Sequence, residues 1–452
     1  MKQLIKIAGV AALGLASSQS ARAQMSGSSD GPKAWSVSAS LRAFYDDNVF
    51  TVSDDARGAD GASRKLSSFG YEVAPSGQFN LSREQTSLGL GYGYTLRYYE
   101  ARADGNIDQS HDANLKLTHE LTSRIKLGIN DSFVSAQEPS VTDAATITSP
   151  LRSEGNNLRN TAGISLAAGL TDSLELVGDY GNTLYDYEQE AGDPALYDQL
   201  GRIAYPSRSA LLDRQENSFG LNARYQLVPS TVGVIGYRFT TIGYSSNEAL
   251  NPLTPDFAKI YSKDRDSDKH DIFGGVDHTF NSQLSTSLRL GAEIVKYTSV
   301  GYSASDTSAA SPYVDGRISY AYRAKDAIVL GVRHGYSQTD AGIYGEFVLG
   351  VPTSQTLVLN AETTSLYGQM SYHVTPSITT TINGQYQHSE FQVNNISGLA
   401  DDFFLLGLAA AYEINRSISL EAGYNYDVLE SSFQVGRGYD RNRVFLGVRA
   451  QY

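Results

Sequence analysis

The chain has 452 residues and no cysteine, which excludes disulfide bonds and thiolate ligands for metals. After the amino terminus it has no apolar run of about 18 residues or more, the length that a membrane-spanning helix needs. Its mean hydropathy of −0.30 also argues against a helical membrane protein. Strands are not excluded, because only every second residue of a membrane-spanning strand has to face lipid.

Basic residues are in deficit, with 36 Lys and Arg against 49 Asp and Glu and a net charge of −13. At the amino terminus, Lys2 and Lys6 precede the apolar run 7–16, and an A-x-A cleavage site follows at 21–23. This order is typical of an export signal peptide, so residues 1–23 are predicted to be removed. The loss of Lys2, Lys6 and Arg22 takes the charge from −13 to −16. Such an acidic chain is not expected to bind double-stranded nucleic acid.

The chain does have apolar residues at strict two-residue spacing, most clearly in its last segment. Apolar residues occupy every second position there: Val444, Leu446, Val448, Ala450 and Tyr452. The positions between them hold Arg443, Phe445, Gly447, Arg449 and Gln451. Because side chains of a strand point to alternate faces, this segment fits the wall of a transmembrane β-barrel between lipid and a wet lumen. A last strand that ends in an aromatic residue is also typical of proteins that the barrel-assembly machinery inserts into the outer membrane.

Similar segments recur and indicate about eighteen strands, or about sixteen at the lower bound. Short turns are predicted near 83–85, 122, 171–172, 228–230, 281–283, 324–326, 375–376 and 415–416, and long connections at 46–66, 137–156, 188–213, 245–268 and 339–361. This asymmetry predicts an all-β fold, a transmembrane antiparallel β-barrel with both termini in the periplasm. The 30 tyrosines fit the aromatic girdles of such a barrel. The alternative is a soluble β-sandwich or propeller, but no blade motif is present.

Charged residues sharpen this prediction, since Arg or Lys on the lipid face near the midplane costs about 2–4 kcal/mol. The residues predicted to line a pore are Arg42, Arg97, Arg224, Arg238, Arg289, Arg317, Arg333, Arg443, Arg449, Glu175, Asp179, Glu293 and Asp315. Six further charged residues also occupy the polar positions of their own strands: Lys116, Lys126, Arg159, Glu72, Glu413 and Glu421. Asp131 and Lys296 instead have the parity of the apolar positions, which face outward. Two interpretations stay open. The inward basic residues favour anionic or sugar-like solutes, or the charges pair with one another across strands.

No pattern predicts an enzyme, a cofactor or a metal site. His111, His270 and His278 each adjoin an aspartate, but neighbours on a strand point to opposite faces and cannot form a dyad. The glycines at 89, 91 and 93 lie inside a strand, which predicts small lumen-facing positions and no phosphate-binding loop. Two long loops are acid-rich, and their residues either bind divalent cations that bridge to lipopolysaccharide or are simply solvated. They are Asp46, Asp47, Asp54, Asp55 and Asp60 in one loop and Asp186, Glu188, Glu190, Asp193 and Asp198 in the other.

Two motifs carry a family resemblance. The first strand enters Y-D-D-N-V-F at residues 45–50, and a later strand ends in S-F-V at residues 132–134. With these motifs the mature chain resembles the second β-barrel porin family of bacterial outer membranes, which is often found near exopolysaccharide clusters. The resemblance implies an outer-membrane location, a porin-like role and a link to surface polysaccharide. It transfers no catalytic residue.

We therefore expect a periplasmic lead at 24–34 and one outer-membrane barrel at 35–452. The expected function is porin-like, passive passage of small polar or anionic solutes, with segment 188–213, which carries Pro194 and Pro206, as the constriction. The alternatives are an outer-membrane component of exopolysaccharide export or assembly, and a closed structural barrel. Expected partners are outer-membrane lipid and lipopolysaccharide, the barrel-assembly machinery, and the solute or polysaccharide. No residue argues for a particular oligomeric state.

Overall fold

A computed structural model describes residues 34–54, 63–136, 156–191, 193, 206–298, 308–348, 351–393, 398–433 and 437–452. The predicted signal peptide and the predicted lead as far as residue 33 lie outside the described residues. Within the described ranges, no helix has the length and apolar character needed to cross a membrane.

The described residues form nineteen strands, and most of them have the length needed to cross a membrane at a tilt. They are β1 (Trp35–Asp46), β2 (Ser68–Ser82), β3 (Thr86–Tyr99), β4 (Ile107–Glu120), β5 (Ile125–Ala136), β6 (Asn157–Gly169), β7 (Leu174–Tyr187), β8 (Arg214–Val228), β9 (Thr231–Tyr244), β10 (Ser267–Thr279), β11 (Leu284–Tyr297), β12 (Ser308–Arg323), β13 (Asp326–Ser337), β14 (Ile343–Val348), β15 (Val351–Thr375), β16 (Ile378–Val393), β17 (Ala400–Asn415), β18 (Ile418–Ser431) and β19 (Tyr439–Gln451). The connections hold one α-helix, α1 (Arg208–Leu212), and two 3-10 helices, Asp256–Ala258 and Ser262–Arg265.

Eighteen of these strands close into one antiparallel barrel. Consecutive strands pair with each other, and β1 pairs with β19 along a seam that runs from Ser38 opposite Gln451 to Asp46 opposite Arg443. Strand β14 stands outside the wall, because β13 pairs directly with β15 and β14 forms a hairpin with the outer part of β15. The predicted transmembrane β-barrel of about eighteen strands is confirmed.

The turns at the end of the barrel where β1 begins and β19 ends are short. Five of them contain the same local device, in which an Asn or Thr side chain accepts hydrogen bonds from the backbone N–H groups two and three residues later. The accepting residues are Thr122, Thr171, Asn281, Thr375 and Asn415. Because this device depends only on nearby residues, the turns lie where the sequence predicts them.

The opposite end carries the longer connections. Those at 47–67, 137–156, 188–213 and 245–266 agree with the predicted loops to within about two residues. The predicted loop 339–361 instead contains β14 and the outer part of β15. This difference arises because alternation identifies a strand but does not tell whether it belongs to the wall.

The two faces of the wall differ as the alternation predicts. Large apolar side chains are exposed on the outside, with 73% of Ile235, 65% of Leu446 and 59% of Leu41 accessible. Residues that lie opposite each other in neighbouring strands share a face, so Arg42 and Glu72 lie together on the inside. An apolar exterior around a polar interior is the arrangement of an outer-membrane barrel.

Asp131 and Lys296 lie on the outer face, as their parity predicts. Asp131 is opposite Leu115, and its carboxylate accepts a hydrogen bond from Asn160 Nδ2 at 3.0 Å. Lys296 is the last residue but one of β11, and it lies opposite Asp268. Polar neighbours of this kind reduce the cost of a charge at the wall.

Candidate functional site

The inner wall of the barrel carries the candidate functional residues. The cross-strand registers put all thirteen side chains predicted to line a pore on this face. They fall into two groups. The seam group, near the β1–β19 seam, contains Arg42, Arg97, Arg443 and Arg449; the far group, on β7–β13, contains Arg224, Arg238, Arg289, Arg317, Arg333, Glu175, Asp179, Glu293 and Asp315. Since β1 and β10 are nine places apart in the ring of eighteen strands, the two groups face each other across the lumen.

The seam group is a ladder of ion pairs. Arg42 Nη1 lies 2.9 Å from Glu72 Oε1, and Arg42 Nε donates to Glu421 Oε2 at 3.0 Å. Glu72 also accepts from Arg97 Nε at 2.8 Å. Arg449 is more loosely held, with Nη1 3.8 Å from Glu421. Within this ladder most of the positive charge is therefore compensated inside the protein.

The far group contains further pairs. Asp277 joins two arginines, because it lies 3.3 Å from Arg224 Nη2 and 2.7 Å from Arg289 Nη2. Arg224 also lies 3.8 Å from Glu175. These contacts bridge strands β7, β8, β10 and β11, so the side chains form one network along the wall.

The other pairs of the far group lie on the neighbouring strands. Arg333 binds Asp315 through both Nε and Nη2, at 3.0 and 2.9 Å. Glu293 is almost fully buried and accepts from Lys269 Nζ at 2.9 Å. Both geometries are charge-assisted hydrogen bonds, which are stronger than neutral ones.

Three predicted residues stand apart from these pairs. Asp179 accepts a hydrogen bond from Asn222 at 3.4 Å, and Arg238 lies opposite Asp271 in the register. For Arg317 no ion pair is found in the described part of the chain, and its Nε is buried without a hydrogen-bond partner. Pairing across strands, the second interpretation of the inward charges, thus describes most of the predicted residues.

Asp277 is one of several charged inner-wall residues that were not predicted from the sequence. Ile272 and Phe273 are consecutive apolar residues, so the sequence alone does not show which of them marks the outer face of β10. In the structure Phe273 points inward with Asp277, and Ile272 is 55% exposed on the outside. The parity shared by Lys269 and Asp277 is the signal that could have found it, since ionised side chains avoid the lipid face.

The external mouth is covered in part by packed loops. We call the described residues of the connections 188–213, 245–266, 338–342, 394–399 and 432–438 the external cap. Ala210 of α1 is buried with Leu250 and Ile260, and Leu357 of β15 packs against them. Because α1 adjoins β8, which is six places from β15 in the ring, these residues can meet only by reaching over the mouth.

Two buried arginines tie the external cap together. Arg265 is fully buried, donates to the Thr339 carbonyl at 2.9 Å and stacks over the Tyr244 ring at 4.4 Å. Arg437 binds Asp340 and, through Nε, Asp401 at 2.8 Å. Each guanidinium joins connections that are distant in sequence, so both fix the position of the loops relative to the wall.

The predicted constriction supplies α1 to this cap. The helix begins after Ser207, whose Oγ accepts a hydrogen bond from Ala210 N at 2.9 Å, as N-cap residues do. Residues 192 and 194–205, which include Pro194, lie outside the described residues. The constriction stays a prediction, and the position of α1 over the mouth supports it.

The Y-D-D-N-V-F motif has a structural role at the external end of the seam. Asp46 is fully buried, and its carboxylate accepts from Arg443 Nη2 at 2.6 Å and Nε at 2.9 Å. Asp47 accepts from the backbone N and the side chain of Asn442 at 2.7 and 2.8 Å. Asn48, also fully buried, donates to the backbone of β19 at 2.8 Å. Asp46 is therefore neither solvated nor free to bind a cation, as loop acidic residues were expected to be.

The carboxyl-terminal part of the barrel is similar to a known protein family. Residues 360–452 match the family model described as Putative beta-barrel porin 2. The predicted family resemblance is confirmed for these residues. An apolar outer wall combined with the match to this porin family identifies a bacterial outer-membrane barrel. No curated protein matches the chain.

Several solved structures are similar to this chain. Acinetobacter baumannii OccAB4 is 12% identical, with 94% of this chain and 100% of that chain covered and a TM-score of 0.43. Pseudomonas aeruginosa OpdQ is 13% identical, with 92% and 98% covered and a TM-score of 0.40. Pseudomonas aeruginosa OpdK, solved with vanillate, is 12% identical, with 92% and 99% covered and a TM-score of 0.42.

One cluster of Ser311, His334 and Glu362 brings together residue types that a hydrolase uses. His334 Nε2 lies 3.3 Å from Ser311 Oγ and 3.0 Å from Glu362 Oε1, while Nδ1 contacts Thr364 at 2.8 Å. A catalytic triad needs the serine and the carboxylate on different ring nitrogens, so this cluster does not have that geometry.

Asp213 makes the stability of the external cap depend on pH. It follows α1 and accepts a hydrogen bond from Tyr187 N at 2.8 Å. Burial, together with the nearby Asp186 and Glu248, raises the pKa of Asp213 to about 6, although the hydrogen bond from Tyr187 N lowers it. The stabilisation that goes with a raised pKa is complete below the ordinary value of 3.8 and is lost as pH rises through about 6. We expect the cap to be more stable at pH 5 than at pH 8.

Limited proteolysis of the purified barrel at both pH values measures this difference as a faster cleavage of the cap at pH 8. The substitution Asp213→Asn keeps an acceptor oxygen and removes this titration, so the difference between its cleavage rates at the two pH values should be smaller. Asp256→Asn, an exposed acid of the same cap, is the matched control and should keep the difference. A full pH effect in Asp213→Asn would assign it to another group.

Proposed function

We propose that the protein is a porin-like channel through which small polar or anionic solutes cross the outer membrane passively. The observation that carries this proposal is the inner wall, where two charged groups face each other across the lumen of an eighteen-strand ring. A ring of about 16–18 strands is wide enough to leave an aqueous channel. Hydroxyl and amide side chains such as Ser365, Gln385 and Gln387 also lie on the inner face of β15 and β16, where they are buried, so polar groups form the wall between the charged groups.

Single-channel recording in planar lipid bilayers tests the proposal. Steady conductance at neutral pH is the expected result, because charged and polar side chains occupy much of the inner face. The second candidate is a closed structural barrel, which the external cap favours. Absence of conductance in the complete chain, and in variants with a loosened cap, would support that candidate instead.

The inward arginines should determine which ions pass. In the triple variant Arg224→Gln, Arg289→Gln and Arg333→Gln, the carboxylates of Asp277 and Asp315 lose their partners. Their negative charge is then uncompensated in the lumen, so the reversal potential in a salt gradient should shift toward cations.

The control for this shift is Arg124→Gln. Arg124 pairs with Asp172 at 3.1 Å in an exposed periplasmic turn, away from the lumen. An unchanged reversal potential in the triple variant would remove the inward arginines from the proposal while leaving the channel itself intact.

The proposal includes export of the chain and its insertion into the outer membrane. Removal of residues 1–23 would leave the lead 24–34 and the barrel 35–452 for insertion by the assembly machinery. Strand β19 presents Tyr452 at the periplasmic rim, 65% exposed and with its ring 5.3 Å from that of Trp35, where the machinery could bind it. Contact with lipopolysaccharide and the link to exopolysaccharide stay predictions.

A further inference from the structure

A recess opens into the lumen from the inner wall of β1–β4, on the periplasmic side of the seam group. The empty space in and directly in front of this recess is about 620 Å³, a volume that includes open solvent space of the lumen. Its polar lining includes Ser38, Ser40, Ser76, Gln78, Asn114 and Arg449, and it contains no acidic side chain.

Two features of the backbone make the wall concave here. Gly91 and Gly93 remove two inward side chains from β3, in agreement with the predicted small lumen-facing positions. The β2–β3 ladder is also interrupted, since pairing stops at Val73 and resumes at Ser76. Pro75 lies in this gap and has no N–H to donate to a neighbouring strand. The recess is therefore built into the wall and does not depend on the loops.

Apart from two arginines, the polar side chains of the lining carry hydroxyl or amide groups. Ser38 and Ser76 share a hydrogen bond of 2.8 Å, and the side chains of Gln78 and Asn114 belong to residues that are exposed toward the lumen. Hydroxyl and amide groups both donate and accept hydrogen bonds, so a series of them suits a solute with several hydroxyl groups.

One cation in the recess has capacity for a ligand. Arg42 is occupied by Glu72 and Glu421, at 2.9 and 3.0 Å. Arg449 donates a hydrogen bond to Ser38 at 3.1 Å and lies 3.8 Å from Glu421. The Glu421 carboxylate already accepts a hydrogen bond from Arg42. The Arg449 guanidinium can therefore take a carboxylate without breaking a short ion pair.

We propose that this recess is a binding subsite for sugar acids, that is, polyhydroxylated solutes with one carboxylate. The hydroxyl and amide side chains contact the sugar hydroxyls, and Arg449 binds the carboxylate. The inference rests on the proposed function, because it assigns a substrate class to the same lumen. Its alternative is that the recess is only water-filled wall.

Binding of glucuronate to the detergent-solubilised barrel, measured by saturation-transfer NMR titration, tests the subsite. Ala74→Phe fills the recess, and Arg449→Gln removes the cation; each should weaken binding about tenfold or more, the usual effect of losing a charge-assisted hydrogen bond or the space for the ligand. Glucose should bind the unsubstituted barrel more weakly than glucuronate does.

Ser165→Phe is the matched control. Ser165 points inward from β6, opposite Gly128 and away from the recess, so the added ring narrows the lumen equally. Glucuronate affinity should be unchanged in this variant. Equal binding in all four proteins, an equal loss in the control, or no binding to the unsubstituted barrel would each overturn the subsite.

The two proposals fail in different measurements. Absence of bilayer conductance refutes the channel without affecting the NMR titration, whereas normal conductance without glucuronate binding refutes only the subsite. The shift in gel mobility on heating shows whether each variant is folded, and because Ala74 and Arg449 lie on different strands, either variant alone can decide the test.

Discussion

Replacing Asp46 by alanine should lower the free energy of unfolding by about 3–5 kcal/mol, the usual cost of removing one partner from a buried ion pair. The Asp46 carboxylate is fully buried and accepts from Arg443 Nη2 at 2.6 Å and from Asn48 N at 3.0 Å. Without it, Arg443 would stay next to the Phe44 ring, 5.8 Å away, with no countercharge from β1. The loss falls on the seam that closes the barrel, so local opening should precede global unfolding there.

Urea unfolding in detergent micelles, followed by the fluorescence of the single tryptophan, measures this effect. Trp35 lies at the periplasmic end of the same seam, 5.3 Å from the Tyr452 ring, and reports directly on separation of β1 from β19. Asp172→Ala removes a partner of an exposed ion pair and should change nothing measurable.

A second variant separates the ion pair from simple packing. Adding Arg443→Met to Asp46→Ala also removes the cation that the Asp46 carboxylate neutralised, and it should restore much of the lost stability. If Asp46→Ala unfolds at the urea concentration of the unsubstituted barrel, the seam does not depend on this pair.

Replacing Arg437 by alanine should open the external cap and raise the conductance of the channel. The guanidinium joins Asp340, in the connection before β14, to Asp401 at the start of β17. Asp401 is fully buried, so removal of Arg437 leaves a carboxylate without its charge partner at a cost of about 3–5 kcal/mol. Since every 1.4 kcal/mol is a factor of ten, the ratio of open to closed caps should rise by about a hundredfold or more.

Paired measurements of single-channel conductance and of proteolysis of the external connections follow this change. Lys259→Ala removes an exposed ion pair with Asp256 in the same cap and should leave both quantities unchanged. Conductance that is the same in Arg437→Ala, although the connections are cleaved faster, would mean that the cap does not restrict the lumen.

The faces of the strands could be predicted because they depend on a period of two that each segment carries by itself. Arg97, Arg289 and Arg333 were assigned to the inside on parity alone, and the registers agree. The short turns were equally accessible, because Thr or Asn at their first positions binds backbone only two or three residues away. Strand β10 was the exception, since a phenylalanine on its inner face hides the parity of Asp277.

The partners of those residues could not be predicted in the same way. Arg42 and Glu421 are 379 positions apart and meet only because the barrel closes with one particular register. The same closure gives the Y-D-D-N-V-F motif its contacts with β19, although the sequence analysis interpreted its aspartates as loop charges. Counting the inward charges does not show which of them are neutralised by a partner. The register of the strands is needed to decide whether the lumen is basic.

The sequence by itself determined that this chain is an outer-membrane barrel of about eighteen strands, and which side chains face lipid, since both follow from local alternation and from turn residues. Only the tertiary structure decided that the inward arginines are mostly paired, that loops from distant connections pack over the mouth, and that a polar recess opens beside Arg449. The physical reason is that these features depend on distances between strands far apart in the chain. Such distances are fixed by the closure and register of the barrel, which no local pattern encodes.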